Sequence, residues 1–243
     1  MKRFNFILVL ALLSSQSFAL LAGPIQTSNK QAAQQEERTT GSFKGVAAGG
    51  PLMIKITLGN KESVRLEGDA EAIADLVTEV KEGILTIRPK TKWNDWSRKY
   101  RNAKVTAYIS AKKLTSLTMS GSGSMEVQQA INTSELVATL SGSGSIKASA
   151  NLRSFVGVIS GSGSLSIQGK ADDSNLTLSG SGNFSGKNFS VNDLSAQISG
   201  SASVYINAEK SIEAVISGSG NISYTGNAEI KKTIIGSGRV RKI

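Results

Sequence analysis

The second half of the chain arranges apolar and polar residues in a pattern that repeats around a Gly-Ser-Gly turn. The turn, with Ala202 in place of the second glycine in one unit, begins at Gly121, Gly142, Gly161, Gly180, Gly200, Gly218 and Gly236. Successive turns are 21, 19, 19, 20, 18 and 18 residues apart. Such a period with self-similar flanks predicts a solenoid, in which each coil buries its apolar face against its neighbours.

The residues on either side of each turn predict which side chains face the core. Two residues before the first glycine, and four residues after it, every unit has a large apolar residue. These are Met119, Leu140, Ile159, Leu178, Ile198, Ile216 and Ile234 before the turn, and Met125, Ile146, Leu165, Phe184, Val204, Ile222 and Val240 after it. All these positions are separated by even numbers of residues within a unit, so on a strand their side chains point to the same face. The same parity predicts inward glycines and outward serines, whose hydroxyls would form ladders along the solenoid.

The first half of the chain predicts shorter and less regular elements. Strands are expected at 52–58, 63–67, 84–88 and 104–109, where apolar residues alternate or run between turn residues. Ile73, Leu76, Val77 and Val80 have helical spacing, which indicates a short helix within 70–80. The predicted fold is all-β: a β-rich portion over 41–110, followed over 111–243 by a right-handed parallel β-helix-like solenoid with Ser-Gly-Ser-Gly repeats of about 19 residues.

The N-terminus predicts export. Lys2 and Arg3 precede an apolar stretch, and Ser17-Phe18-Ala19 places small residues at the positions a signal peptidase reads. We therefore predict a signal peptide over 1–19, cleaved after Ala19, and no transmembrane segment in the mature chain. Residues 20–40 are mostly polar and small, which predicts a flexible leader. Periplasm, outer cell surface and secreted medium all remain open as destinations.

The composition narrows the possible chemistry. The chain has no Cys and no His, which excludes Ser-His-Asp and Cys-His catalysis and the usual zinc ligands. The formal net charge is +10, and it becomes +8 once Lys2 and Arg3 leave with the signal peptide. A basic protein favours acidic partners such as charged glycans or anionic lipids. Because no nucleic-acid-binding module is recognisable, we predict no nucleic-acid partner.

Three segments of the chain resemble a known bacterial family. They are 43–46 (Phe-Lys-Gly-Val), 77–87 (Val-Thr-Glu-Val-Lys-Glu-Gly-Ile-Leu-Thr-Ile), and the Ser-Gly-Ser-Gly-Ser series that starts at Ser120 and runs to 221–226 (Asn-Ile-Ser-Tyr-Thr-Gly). Together they are similar to the head GIN domain of auto-transporter adhesins, and the resemblance covers about residues 41 to 243. It implies an all-β, β-helix-like fold in the cell envelope, and it does not imply a catalytic residue set.

One segment between two predicted strands carries a candidate binding site. Over 90–104 the chain holds both tryptophans, a tyrosine and several cations. The candidate ligand-binding residues are Trp93, Trp96, Tyr100, Lys92, Arg98, Lys99 and Arg101. Aromatic rings interleaved with cations can stack on sugar rings while the charges meet anionic groups. The alternative is that the tryptophans cap one end of the solenoid, since terminal coils need a cover.

Other charged residues give weaker signals. Lys231, Lys232, Arg239, Arg241 and Lys242 form a second basic cluster, which we interpret as a solvated polar cap on the last coil, with binding as the alternative. Carboxylates are the remaining route to acid/base chemistry. Adjacent Asp172 and Asp173 point in opposite directions on a strand, and no calcium-binding repeat is present. We therefore predict no catalytic residues, no metal and no cofactor.

The sequence thus predicts an exported, non-enzymatic interaction module of the cell envelope or surface. Adhesin-like binding of a glycan, a lipid head group or a surface protein is the leading hypothesis. A polysaccharide-active β-helix enzyme is the first alternative, since such enzymes gather acid/base residues in a groove along the coils. A purely structural envelope protein is the second. The sequence leaves the ligand and the oligomeric state open.

Overall fold

The structure is a computed structural model that describes residues 34–101 and 103–243, apart from the side chain of Trp93. The predicted signal peptide and residues 20–33 of the predicted leader lie outside this range. The strands are β1 (Gln34–Arg38), β2 (Gly45–Gly49), β3 (Met53–Leu58), β4 (Ser63–Gly68), β5 (Leu76–Lys81), β6 (Ile84–Pro89), β7 (Val105–Ala111), β8 (Ser116–Gly121), β9 (Ser124–Asn132), β10 (Glu135–Gly142), β11 (Ser145–Asn151), β12 (Ser154–Gly161), β13 (Ser164–Gly180), β14 (Asn183–Gly200), β15 (Ser203–Gly218), β16 (Asn221–Thr225), β17 (Glu229–Gly236) and β18 (Arg239–Lys242). The helices are α1 (Ala70–Ala74) and α2 (Trp93–Lys99).

From β8 onward each coil places one strand before the Ser-Gly-Ser-Gly turn and one after it. Strands before the turn stack in parallel on one face, which we call face A, and strands after it stack on the other, face B. Pairing joins equivalent residues one repeat apart, as with Leu140 and Ile159 on face A or Ile146 and Leu165 on face B. The predicted all-β solenoid of about seven turns with repeats near 19 residues is confirmed.

The core lies between the two faces and is filled by the apolar residues that the alternating pattern predicted to point inward. Of the fourteen flanking apolar residues, thirteen are buried, and Ile234 packs against them partly buried. Phe155, Phe184 and Phe189 form an aromatic cluster inside the coils, with ring centroids 5.4 and 6.1 Å from Phe155. The period-two pattern therefore identified the core correctly, because each inward column is shared by consecutive coils.

The turn brings the backbones of neighbouring coils close together. The first glycine of each turn has a positive φ, such as +114° at Gly161, and a Cβ there would lie 2.6 Å from the carbonyl oxygen of Gly142. The second glycine of the turn, such as Gly163, is buried, and the serine between them, such as Ser162, is exposed. Glycine is required at the first position because a side chain would meet backbone in a conformation that L residues avoid.

The first coil of the chain is not the first coil of the stack. β2 pairs in parallel with both β6 and β8, and β3 pairs with both β7 and β9. The coil formed by β2 and β3 therefore lies between the β6–β7 coil and the β8–β9 coil. Beyond β6 and β7 the stack ends in antiparallel strands, because β5 pairs with β6 and β4 with β7.

The helix predicted within 70–80 is shorter than expected. Only Ala70–Ala74 is helical, with the Asp69 side chain accepting a hydrogen bond from the backbone N–H of Ala72. Residues 76–81 instead form β5, which pairs antiparallel with β6. The helix prediction was wrong for residues 76–81. These residues form backbone hydrogen bonds with the open edge of β6, and the helical spacing of apolar residues in the sequence does not reveal that edge.

The structure also differs from the predicted leader over its last residues. Gln34–Arg38 form β1, which pairs antiparallel with β4. The Arg38 guanidinium donates a 3.2 Å hydrogen bond to the backbone oxygen of Ile73. This strand is held mainly by backbone bonds to an edge strand, so its polar composition gave no sign of it.

Candidate functional site

The segment with the predicted aromatic and basic site connects β6 on face A to β7 on face B. In the later coils a Ser-Gly-Ser-Gly turn makes this connection, whereas here the chain forms α2. The sequence placed this segment between two predicted strands and predicted no helix in it. Arg98 and Lys99 lie in the last helical turn, where the partial negative charge of the helix end favours cations.

Two aromatic residues of the predicted site point into the protein. Trp96 and Tyr100 keep only 2% and 8% of their surface exposed, and their ring centroids are 5.2 Å apart. Both belong to the hydrophobic core. Their position is that of core residues beside α1 at the end of the solenoid. The side chain of Trp93 lies outside the described residues.

A polar contact fastens α2 to α1. The Tyr100 hydroxyl donates a 2.6 Å hydrogen bond to Oδ2 of Asp75, and the Lys99 ammonium lies 3.0 Å from the same oxygen. The Tyr100 hydrogen bond, followed by Lys99, lowers the pKa of the Asp75 carboxyl. Burial, followed by the contact with Asp75, raises the pKa of Tyr100. Asp75 therefore stays ionised and holds the two helices together at neutral pH.

The cations of the predicted site are exposed. Lys92, Arg98, Lys99 and Arg101 face solvent, with Arg98 3.9 Å from Asp95 and Lys99 paired with Asp75. The structure thus brings the charges of this segment to the surface, and the Lys99 ammonium also lies 4.8 Å from the centroid of the buried Tyr100 ring. Whether this basic surface binds a ligand stays a prediction.

A cleft on the outer surface of face B was not predicted. It has a volume of about 610 Å³ and lies where β3, β4 and β7 meet the end of β1. At its centre the Tyr108 ring has the Arg65 guanidinium 4.5 Å and the Lys55 ammonium 5.6 Å from its centroid. These distances are within the range of cation–π interactions. The cleft therefore combines an aromatic face with two cations.

Most residues that line this cleft are polar or charged. Val64 and Ile109 contribute to it but bury their side chains in the core. The Glu62 carboxylate lies 2.9 Å from the Lys112 ammonium, and the hydrogen bond from Lys112 lowers the pKa of Glu62. Within residues 34–101 and 103–243, Lys61 of the lining forms no ion pair. The cleft thus offers cations and hydroxyls to a ligand. Of the nearby carboxylates, Glu62 is held by Lys112, Glu67 lies 3.6 Å from Arg65, and Glu37 is an exposed part of the lining.

The residues of this cleft carry a partial signal in the sequence. Lys55, Arg65 and Tyr108 occupy outward positions of strands that the sequence predicted. Their convergence depends on the antiparallel pairing of β4 with β7, which aligns Arg65 with Tyr108, and on the parallel pairing of β3 with β7, which aligns Lys55 with Tyr108. The pattern of the sequence gives the outward direction of each side chain but not which strands lie side by side.

The C-terminal basic cluster divides between the two faces. On face B, Arg239 and Arg241 line a hollow of about 230 Å³ together with Tyr205 and Ser223. The Lys187 ammonium lies 5.3 Å from the centroid of the Tyr205 ring. Arg241 donates a 3.3 Å hydrogen bond to the hydroxyl of Ser223. This part of the cluster is a second place where cations meet a tyrosine.

Of the cluster's remaining lysines, Lys231 and Lys232 lie on face A, and Lys242 follows Arg241 in β18 on face B. The Lys231 ammonium is paired at 3.1 Å with Glu213, and Lys232 is exposed. Lys242 donates a 3.3 Å hydrogen bond to Oδ1 of Asn227. For Lys231 and Lys232 the structure fits the predicted solvated cap.

Carboxylates gather in a shallow depression on face A. Asp173, Asp193 and Glu213 line a hollow of about 360 Å³. Asp173 and Asp193 are paired in register on neighbouring parallel strands, and the Ser211 hydroxyl donates a hydrogen bond to Asp193. In the described part of the chain, no group of three or more acidic residues is placed to hold a metal ion.

Within the ranges that the structure describes, no helix is long and apolar enough to cross a membrane. Residues 42–228 match the family model described as "Putative auto-transporter adhesin, head GIN domain". No curated protein sequence matches the chain.

Several solved structures are similar to the chain. One is a putative adhesin from Bacteroides fragilis, with 20% identity and a TM-score of 0.76 over 88% of this chain and 98% of that one. Another is a putative lipid binding protein from Parabacteroides distasonis, with 22% identity and a TM-score of 0.70 over 88% and 98%. A putative adhesin from the same organism has 20% identity and a TM-score of 0.65 over 87% and 97%. At these identities the likeness concerns the fold.

Proposed function

Since the family match covers most of its length, this chain belongs to the auto-transporter adhesin head GIN domain family, and we propose that it is an adhesin-like module that binds an acidic glycan without catalysis. The proposal includes export to the periplasm, the outer surface or the medium, which the N-terminal segment supports. The observation that carries it is the cleft around Tyr108, where a tyrosine ring stands between Arg65 and Lys55.

The chemistry of this cleft suits a sugar that carries acidic groups. The Tyr108 ring holds the Arg65 and Lys55 cations over its face, where they can pair with carboxylate or sulfate groups of a sugar. Thr57, Ser63 and Ser110 add hydroxyls to the lining. Such a cleft supplies the few placed polar groups that fix the orientation of a ligand.

The same lining disfavours a lipid chain. An acyl chain gains free energy from apolar surface that it removes from water, and the apolar residues of the lining are turned into the core. A lipid could therefore engage the cleft only through an anionic head group. The polar lining thus favours a glycan over an acyl chain as the ligand.

The basic surface of α2 forms a second part of the proposal. Lys92, Arg98 and Arg101 are exposed and would add attraction for a polyanion. Trp96 and Tyr100 would act there only by holding the helix in place, because both are buried. Substitutions of the three cations therefore test this surface without removing core residues.

A binding experiment on residues 34–243 tests the proposal. An array of uronic, sulfated and neutral glycans, together with vesicles of anionic lipid, is probed with the wild type, with Tyr108→Ala, and with the Lys92→Gln/Arg98→Gln/Arg101→Gln variant. We expect acidic glycans to bind and Tyr108→Ala to weaken their binding by about tenfold, because the variant removes the ring that positions the Arg65 and Lys55 cations, and a loss of about 1.4 kcal/mol is tenfold in affinity.

The matched control is Val215→Ala, which shortens an exposed side chain on face A. Unchanged melting curves are required for each variant. Binding that is equal in the wild type and Tyr108→Ala would reject the cleft as the site. Binding to lipid vesicles alone would identify the ligand as an anionic head group and not a glycan. No binding to any probe would favour a purely structural role for the protein.

The acidic depression on face A favours one rival function, a polysaccharide-active enzyme. Retaining glycosidases use two carboxylates about 5 Å apart, and Asp173 and Asp193 lie on adjacent strands, which are spaced by about 4.8 Å. The test is to incubate the wild type and Asp193→Asn with the same acidic polysaccharides and to measure new reducing ends. Cleavage by the wild type that Asp193→Asn abolishes would establish the enzyme.

A further inference from the structure

We infer that the ligand is a linear acidic polysaccharide that lies along the solenoid axis on face B and contacts two tyrosine sites at once. This inference rests on the proposed function and adds a second site and a ligand direction to it. The first site is the cleft at Tyr108, with Arg65 and Lys55. The second is the hollow at Tyr205, with Arg239 and Arg241.

Both tyrosines stand in a single outward column of face B. The pairing register connects them step by step through Lys55, Glu126, Lys147, Ser166 and Ser185. The column continues beyond Tyr205 to Ser223 and Arg241. Six strand-to-strand steps separate Tyr108 from Tyr205, so at about 4.8 Å per step they are about 29 Å apart along the axis.

The surface between the two tyrosines carries small polar side chains. In the column that is nearer the turn, Ser124, Ser145, Ser164, Asn183 and Ser203 follow one another. Their hydroxyl and amide groups can both donate and accept hydrogen bonds, as sugar hydroxyls do. Because none of them is large, an extended chain can pass over this strip from one tyrosine to the other.

Charge along the strip favours an anion. Lys187 stands over the Tyr205 ring, and Arg239 follows Asn221 in the column nearer the turn. Between the two tyrosines, the acidic side chain of the column, Glu126, is paired at 3.2 Å with Lys147, and beyond Tyr108 the column continues through Arg65 to Glu37. Both ends of the strip therefore present cations beside an aromatic ring, and the middle is close to neutral.

A ligand that reaches both sites gains affinity by multivalency. Once one end is bound, the other end binds at a high effective concentration if its length matches the span, and short ligands receive no such gain. A single head group is too small to contact two sites about 29 Å apart, and a globular partner that contacts both would not depend on the length of a free oligomer. Length dependence is consequently the property that identifies a linear chain.

The experiment measures affinity for oligogalacturonides from the trimer to the dodecamer by calorimetry, with their methyl esters as uncharged controls. We expect affinity to rise by at least about tenfold once the oligomer spans both sites, and then to level. Tyr205→Ala/Arg239→Gln/Arg241→Gln should remove this rise and keep the binding of short oligomers. The Lys231→Gln/Lys232→Gln variant takes two charges from the same end of the solenoid on face A, and it should keep the rise.

Each result decides between the two proposals. Short oligomers that bind at the Tyr108 cleft without any rise with length would overturn the two-site inference and leave the proposed function intact. A rise that Lys231→Gln/Lys232→Gln also removes would show general charge attraction and equally reject the second site. Failure of every oligogalacturonide to bind would overturn the two-site inference, and failure of the sulfated glycans of the array as well would overturn the acidic-glycan function itself.

Discussion

The Tyr100 hydroxyl lies 2.6 Å from Oδ2 of Asp75, and this hydrogen bond joins the two helices at one end of the solenoid. Asp75 ends α1, whereas Tyr100 ends α2. The backbone N–H of Lys90 also donates to the Asp75 carbonyl oxygen, at 2.9 Å. One aspartate thus organises the end of the stack where antiparallel strands replace the regular coils.

This contact predicts a pH-dependent contribution to stability. Because the folded state lowers the pKa of Asp75, its contribution is present above the unfolded value of about 3.9 and is lost as the pH falls through the folded pKa. Asp75→Asn should therefore be less stable than the wild type at neutral pH, and the difference should shrink toward pH 3. Urea titrations at several pH values measure it.

Tyr100→Phe is the companion variant, since it removes the hydrogen bond and keeps the carboxylate. It should lose part of the same stability while Lys99 still pairs with Asp75. A difference between Asp75→Asn and the wild type that stays constant from pH 7 to pH 3 would show that Asp75 acts through packing and not through its charge.

The close approach of the turns predicts that glycine is required at one position and not at the next. Gly161→Ala should destabilise the protein by about 1–3 kcal/mol, because a Cβ would lie 2.6 Å from the Gly142 oxygen in a backbone conformation at φ +114°. Ser162→Ala, one residue further and exposed, should change stability by less than about 0.5 kcal/mol. Equal effects in denaturant titrations would contradict the stacked-turn geometry.

Adjacent residues on face A test the parity of the strands. Ile216 is fully buried, whereas Val215 is 44% exposed. Ile216→Asp should unfold the solenoid cooperatively, because it buries an unpaired charge. Val215→Asp should fold with a nearly unchanged circular dichroism spectrum and melting temperature. The opposite order of the two variants would mean that the inward and outward positions are reversed.

Ser174 predicts a gain in stability on substitution. It is 1% exposed, lies in the core column between Phe155 and Leu194, and its hydroxyl has no hydrogen-bond partner among the described residues. A buried hydroxyl without a partner costs about 1–3 kcal/mol. Ser174→Ala should therefore raise the free energy of unfolding by roughly 1 kcal/mol, and a loss of stability would reveal an unseen partner for the hydroxyl.

The repeat was the part of the fold that the sequence predicted best. Core columns such as Leu140 and Ile159 repeat every coil, so the period of the pattern gave both the strands and their parallel register. The N-terminal portion was harder, since β5 and β1 are strands only because β6 and β4 offer open edges. Edge pairing of this kind joins residues that no local pattern connects.

The candidate sites were also predicted only where a local pattern of the sequence identifies them. The sequence identified the aromatic and basic segment at 90–104, but it could not show that Trp96 and Tyr100 turn inward and leave the cations outside. It gave no reason to connect Lys55, Arg65 and Tyr108, which are up to 53 residues apart. Nor did it connect Tyr108 with Tyr205.

By itself, then, the sequence determined the all-β solenoid, its period, its core columns, its glycine turns and the family, because period-two alternation and a fixed repeat are local properties of the chain. The tertiary structure decided which outward side chains become neighbours. Stacking places residues of different coils about 4.8 Å apart whatever their separation in sequence. A binding surface assembled from such neighbours exists only once the coils are stacked.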